Sequence, residues 1–168
     1  MAWTPDGKNI ASAGDDGTIR VWNARKYLRQ QMVTAVVFSP DGSKIAAANE
    51  YGHGDEFQIF DAKTQAKLGS ALRHSGGVVC IAWNNDGTKL ATGSQGLDSS
   101  VRIWSEVSTG TFECHSTLNV RSPARSISYS PSGDTLAVGC YIGNVLLVDA
   151  VTVVVKRSLT GHRYRRKF

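Results

Sequence analysis

Residues Leu90–Trp104 read "LATGSQGLDSSVRIW": an apolar strand breaks at small residues, turns around an aspartate and resumes as a strand ending in tryptophan. Residues Ile10–Trp22, "IASAGDDGTIRVW", have nearly the same layout. Working outward from this pair, four segments align: "AWTPDGKNIASAG" from Ala2, "VFSPDGSKIAAAN" from Val37, "AWNNDGTKLATGS" from Ala82 and "SYSPSGDTLAVGC" from Ser128. Their aromatic anchors, Trp3, Phe38, Trp83 and Tyr129, lie 35, 45 and 46 residues apart. Each segment then reaches a second strand end, at Trp22, Phe60, Trp104 and Val148.

A period near 40–45 residues with strand-rich content predicts propeller blades. The runs "AVVF" and "CIAW" are expected as inner strands buried on both faces. "SPDGSK", "NNDGTK" and "SPSGDT" are turns, in which Pro fixes φ, Asp or Ser bonds the local backbone and Gly takes φ > 0. "TIRVW", "EFQIF" and "VRIW" alternate and are β-branched or aromatic, hence expected to be exposed on one face. The stretches "QAKLGSALR", "TFECHSTL" and "VVVKRSL" are more polar, as edge strands should be. No helical periodicity persists. The expectation is an all-β chain of four four-stranded antiparallel blades, over about 1–31, 32–72, 73–120 and 121–160, with 161–168 opening a fifth repeat or forming a basic tail. The repetition has a physical reason: one such sheet cannot bury its own faces, and stacked copies can.

The turn pattern followed by "IRVWN" and "VRIWS", with "GH" at Gly161–His162, resembles the WD-repeat β-propeller family over essentially the whole chain. The resemblance implies a hydrogen-bonded tetrad of His, Ser/Thr, turn Asp and strand-end Trp within a blade. The third repeat supplies all four types, as His74, Thr92, Asp98 and Trp104; the first supplies Ser12, Asp16 and Trp22 without an upstream His. The second has Ala47 and Phe60, and the fourth Val138 and Val148, so those blades are expected to rely on packing. The resemblance also implies partner docking on a loop rim, to which Asp15, His53, Leu97, Arg125 and Tyr141 correspond. A narrower similarity joins Ser122–Ala150 to repeats of the echinoderm microtubule-associated-protein-like propellers, implying a tubulin or other cytoskeletal partner.

Catalytic readings find little support in the residues. His74, Ser75 and Asp98 are the types of a Ser–His–Asp triad, but no nucleophile-elbow pattern accompanies them. Asp15–Asp16–Gly17 lacks the further oxygen ligands of a calcium loop. "YGHGDE", Tyr51–Glu56, has neither phosphate-loop spacing nor a helix after it. His53 and His115 have no partners at metal spacing. The expectation is a chain without enzymatic activity, cofactor or metal: a protein–protein interaction scaffold.

Composition sets the remaining bounds. Of 168 residues, 41% are hydrophobic and 20% charged, ordinary for a soluble globular protein. No apolar run reaches the ~20 residues of a membrane helix, and "MAWTPDGKNI" lacks the regions of a signal peptide. Three cysteines without metal spacing read as reduced thiols in a cytoplasmic or nuclear setting. The net charge of +5 comes from the end: Lys156, Arg157, Arg163, Arg165, Arg166 and Lys167 account for six positive charges, leaving −1 for residues 1–155. Such a basic tail suits an acidic partner, tubulin or RNA among them.

Repeat register also bears on assembly. Phe60 to His74 and Val148 to His162 are both 14 residues, so Phe168 corresponds to Cys80 and Met1 to Ile81. The chain thus ends in register where it began, inside an inner strand. It reads as a fragment of a longer propeller, as a half that pairs with a second copy through its open edges, or as a self-closed four-bladed ring.

Overall fold

In the turn from Ser39 to Lys44, the Asp41 carboxylate accepts from the Ser39 hydroxyl at 2.5 Å and from the Ser43 amide at 3.0 Å, while Gly42 takes a φ of 71°. The turn from Asn84 to Lys89 is closed in the same way: Asp86 accepts from the Thr88 amide and hydroxyl, and Gly87 has φ 73°. In the turn from Ser130 to Thr135, Asp134 accepts from Ser130 and Ser132 and Gly133 has φ 78°. A left-handed glycine and a short polar side chain satisfy the backbone locally, which lets the flanking apolar runs pair directly.

The structure, a computed structural model, describes residues 2–3, 9–13, 19–23, 32–50, 56–96 and 98–161. These form strands joined by turns, and no described helix is long and apolar enough to cross a membrane. The chain divides into two compact units, Met1–Gln31 and Met32–Phe168.

In the first unit, β1 (Ala2–Trp3), β2 (Asn9–Ala13) and β3 (Ile19–Asn23) form an antiparallel sheet in that order. This is three strands where four were expected; residues 24–31, which would carry the outer strand, lie outside the described residues.

The second unit holds three four-stranded antiparallel sheets. The first is β4 (Met32–Phe38), β5 (Lys44–Glu50), β6 (Glu56–Asp61) and β7 (Lys67–Arg73). The second is β8 (Val78–Trp83), β9 (Lys89–Ser94), β10 (Ser100–Ser108) and β11 (Thr111–Asn119). The third is β12 (Ala124–Tyr129), β13 (Thr135–Cys140), β14 (Asn144–Asp149) and β15 (Val155–Thr160). Each strand hydrogen-bonds to its sequence neighbour, a meander that needs only short turns.

Register repeats from sheet to sheet. Ile10 pairs with Trp22, Ile45 with Phe60, Leu90 with Trp104 and Leu136 with Val148. Two residues on, Ser12 pairs with Arg20, Ala47 with Gln58, Thr92 with Arg102 and Val138 with Leu146. A register shift recurs between the first and second strands of all three complete sheets, at Val33/Ala35, Val78/Cys80 and Ala124/Ser126.

Two apolar clusters fill the spaces between neighbouring sheets. One joins Phe57 and Ile59 of β6 to Val78, Ile81, Trp83, Leu90 and Trp104; the other joins Ala91, Val101 and Ile103 to Leu136, Val138, Leu146 and Val148. At the second junction the backbones approach closely: a Cβ on Gly93 would lie 2.7 Å from the Ala124 Cβ. The inner strand β8 is buried on both sides, as its apolar run predicts. Its counterpart β4 is not: Val36 is 55% and Phe38 61% exposed. The third strands depart from expectation the other way. Gln58 and Arg102, on their polar faces, are half-buried rather than exposed: the Gln58 side-chain amide donates to the Ile59 and Leu68 carbonyls, and Arg102 donates to the Arg73 carbonyl of the preceding sheet.

Candidate functional site

The antiparallel meander sorts the connections of the second unit onto two ends. One end carries 74–77, 95–96, 98–99, 120–123 and 141–143; the other carries the tight turns at 39–43, 84–88 and 130–134.

At the first end the β7–β8 connection brings His74 beside the β9–β10 loop. His74 Nδ1 lies 2.8 Å from Asp98 Oδ2, and its Nε2 lies 2.7 Å from Thr92 Oγ1. The Trp104 indole N–H donates to the same Thr92 oxygen at 2.8 Å. Thr92 on β9 and Trp104 on β10 share this oxygen because their strands pair in register, so the indole of one reaches back over the hydroxyl of the other. The four residues form one continuous chain from carboxylate to indole. If Nδ1–H donates to Asp98, Nε2 accepts the Thr92 proton, and the hydroxyl oxygen remains free to accept from the indole.

Residues beyond the four complete the network: Ser75, which the sequence reading named only as a triad type, and Ser94, Ser100 and Arg102, which it left out. The Ser75 amide donates to Asp98 Oδ2 at 3.0 Å, and the Ser100 hydroxyl lies 3.3 Å from His74 Nδ1. Ser94 bonds both the amide and the carbonyl of Ser100, holding the loop to the end of β9. Arg102 lies 3.6 Å from Asp98 and donates to the Arg73 carbonyl. Burial alone would raise the Asp98 carboxyl; hydrogen bonds from Ser100, His74 and the Ser75 amide, with the nearby His74 charge, hold it below its ordinary value. Ser100 had a signal in the sequence, a hydroxyl two residues after a turn aspartate. Arg102 had none, since only register places it near Asp98.

The chemistry of this cluster is that of a closed network. Asp98, His74 and Thr92 follow one another as acid, base and hydroxyl do in a hydrolytic triad, yet Thr92 is fully buried and its oxygen is already shared with the indole. Trp104 further packs edge-on against Phe57 of the preceding sheet, with centroids 5.1 Å apart. Ser75 approaches Asp98 through its amide. Among the described residues no three His, Cys, Asp or Glu side chains gather as a metal set, and the cysteines are free, with Cys80 and Cys140 in one apolar cluster. Burial pushes the Cys80 thiol up to about 12, the wrong direction for a nucleophile.

The remaining rim candidates divide. Arg125 opens β12 and Tyr141 sits in the β13–β14 turn; the Arg125 guanidinium stacks over the Tyr141 ring at 5.3 Å from its centroid. The Tyr141 amide donates to the Pro123 carbonyl, which draws the two connections together, and both side chains are exposed, with Ile142 beside them 62% exposed. Ser12 and Trp22 take the register positions of Thr92 and Trp104 on β2 and β3. Asp15, Asp16, His53, Leu97, His162 and the tail residues Arg163, Arg165, Arg166 and Lys167 lie outside the described residues.

Comparison with known proteins bears on the fold. The family model described as "WD domain, G-beta repeat" matches residues 1–23 and 66–105, the two stretches ending at Trp22 and Trp104. Among solved structures, the chain is similar to the RRP9 WD40 repeats, with a TM-score of 0.69 at 21% identity, over 79% of this chain and 40% of that one. U3-55K gives a TM-score of 0.69 at 20% identity, again over 79% and 40%. Hydrazine synthase of Kuenenia stuttgartiensis gives 0.68 at 22%, over 79% and 36%. The chain therefore spans at most 40% of the length of these three proteins. At such identities the likeness is one of fold.

Proposed function

We propose that this chain, whose residues 1–23 and 66–105 match the WD-repeat family model and whose fold is that of WD40 repeats, is a non-catalytic interaction scaffold that receives a protein partner on the end carrying Arg125 and Tyr141. The observation that supports this reading is the Arg125–Tyr141 stack. It is an exposed cation–π pair, pinned by the Tyr141–Pro123 backbone bond and flanked by exposed Ile142. Arginine and tyrosine side chains concentrate binding energy at interfaces because each offers a large flat surface with a polar tip. The sheets behind them hold the loops in fixed positions, so little ordering cost falls on binding. The His74 network favours the same reading, since both His74 ring nitrogens, the Thr92 oxygen and the Trp104 indole are engaged with other members rather than held open to a substrate.

A photo-crosslinking side chain at position 142 tests this in cell extract. The expected result is a discrete crosslinked protein that disappears in the Arg125→Glu, Tyr141→Ala double variant while the variant keeps its β-sheet circular dichroism. Adducts that survive the double variant, or none at all, would remove this surface as the docking site. A reproducible hydrolytic or transfer activity that His74→Ala abolishes in folded protein would overturn the non-catalytic reading.

A further inference from the structure

The two junctions between the complete sheets are equivalent by register, yet they end differently at the tight-turn end. Leu90–Trp104 corresponds to Ile45–Phe60 and Leu136–Val148, which makes Lys89 the counterpart of Lys44, and Ala150 the counterpart of Glu106. The backbone agrees: the Glu106 amide donates to the Thr88 carbonyl, as the Ala150 amide does to the Asp134 carbonyl.

At the first junction Lys44 reaches across to the neighbouring sheet. Its ammonium meets both Glu106 oxygens, at 2.8 and 2.7 Å, and the Gly110 amide donates to the same carboxylate at 2.6 Å. The Phe112 ring completes this corner, packing edge-on against Trp83 with Lys44 above it. At the second junction Ala150 stands where the carboxylate would be, and a cleft of about 250 Å³ opens, lined by Asn84, Asn85, Asp86, Lys89, Tyr129 and Ala150 among others. Lys89 makes no ion pair within 4 Å among the described residues, although its charge also acts on Asp86 of the same cleft. The Tyr129 hydroxyl is buried and also lacks a hydrogen-bond partner among them. Trp83, at the equivalent place, likewise leaves its indole nitrogen unpaired, but Phe112 occupies the space beside it.

We propose that this cleft binds a carboxylate group, held by Lys89 in the position that Glu106 fills at the sister junction. An incoming carboxylate gives Lys89 the partner that Glu106 gives Lys44, in a charge-assisted hydrogen bond about twice as strong as a neutral one. Asp86 also lines the cleft, but its carboxylate is engaged by the Thr88 amide and hydroxyl. The floor is set by Asn85, whose side-chain amide donates to the Ser130 and Pro131 carbonyls and ties one turn to the next. The Pro40 and Pro131 counterparts of Asn85 have no such donor. The carboxylate can come from a small diacid or from an acidic side chain of a peptide.

Nuclear magnetic resonance titration of the full chain separates these sources. The probes are glutarate and a capped triglutamate peptide, with capped triglutamine and sodium chloride at matched ionic strength as controls. Saturable shifts of the amides at 84–89, 129–133 and 150–151 are expected with one or both acids, the tighter of the two identifying the source. Lys89→Gln should weaken binding about tenfold or more with unchanged circular dichroism. Ala150→Glu should abolish it by supplying the carboxylate internally, and should raise the melting temperature. Equal shifts with triglutamine or chloride, no saturable shift at these amides, or undiminished binding in Lys89→Gln would each overturn the proposal.

Discussion

The sheet β8–β11 and the sheet β12–β15 share one register but fill it with opposite chemistry. Where the former has His74, Thr92, Asp98 and Trp104, the latter has Val120, Val138, Ile142 and Val148. In the first the column is joined end to end by hydrogen bonds of 2.7 to 2.8 Å. In the second Val138 and Val148 are fully buried in an apolar cluster. The pair shows that this backbone accepts a completely satisfied polar column or a completely apolar one. A mixed column would bury an unpaired donor or acceptor, and that is the costly case.

Substitutions that force a mixture sharpen the comparison. The largest effect belongs to Trp104→Ala, which removes both the indole bond and the Phe57 contact; a loss of about 3–5 kcal/mol is expected in denaturant unfolding. Val148→Ala should cost only about 2 kcal/mol, since nothing polar is stranded. Equal losses would break the distinction between the two columns. Next comes the exchange of chemistry. Asp98→Ala strands the His74 and Ser75 donors, and Val138→Thr buries a hydroxyl with no imidazole to receive it; each should cost about 1–3 kcal/mol. If Asp98→Ala melts with the parent, the network contributes nothing to stability.

Acid gives a smaller and more specific signal. Asp98 titrates below its ordinary 3.8 in the folded chain, so its stabilising contribution is complete above the unfolded value and is lost as pH falls through the folded one. The parent and Asp98→Asn should therefore differ in stability at neutral pH and converge in strong acid. A difference that persists below the folded pKa would place the effect in packing. Asp41, lowered to about 2 by the Ser39 and Ser43 hydroxyls and the Ser43 amide, follows the same sign and is common to both proteins. The smallest effect is expected from Ile142→Asp, which puts a carboxylate at the position of Asp98 in the sheet that has no histidine there. Ile142 is exposed, and the change should stay within about 0.5 kcal/mol by thermal melting.

Much of this was legible without coordinates because it is local. A turn aspartate, a left-handed glycine and a β-branched run each act within about five residues, and their recurrence reports the sheet. The His74 column was legible only through the resemblance to the WD-repeat family, which implies a His, Ser/Thr, Asp and Trp set in a blade. Burial was harder to read. The runs ending at Phe38 and Trp83 look alike, yet Phe38 is exposed and Trp83 buried, because what covers a strand comes from other sheets.

The sequence by itself determined the all-β class, the repeat and the turns, since period and residue type are properties of neighbouring positions; the set His74, Thr92, Asp98 and Trp104 came from the resemblance to a known family. The tertiary structure alone decided how sheets meet. Lys44 finds Glu106 across 62 residues, and Arg125 finds Tyr141 between separate connections. Lys89 faces a cleft where its counterpart faces a carboxylate. No spacing rule carries such pairings, because a side chain's partner across a junction is set by how two whole sheets pack, and one residue, alanine at 150 or glutamate at 106, changes what the junction can hold.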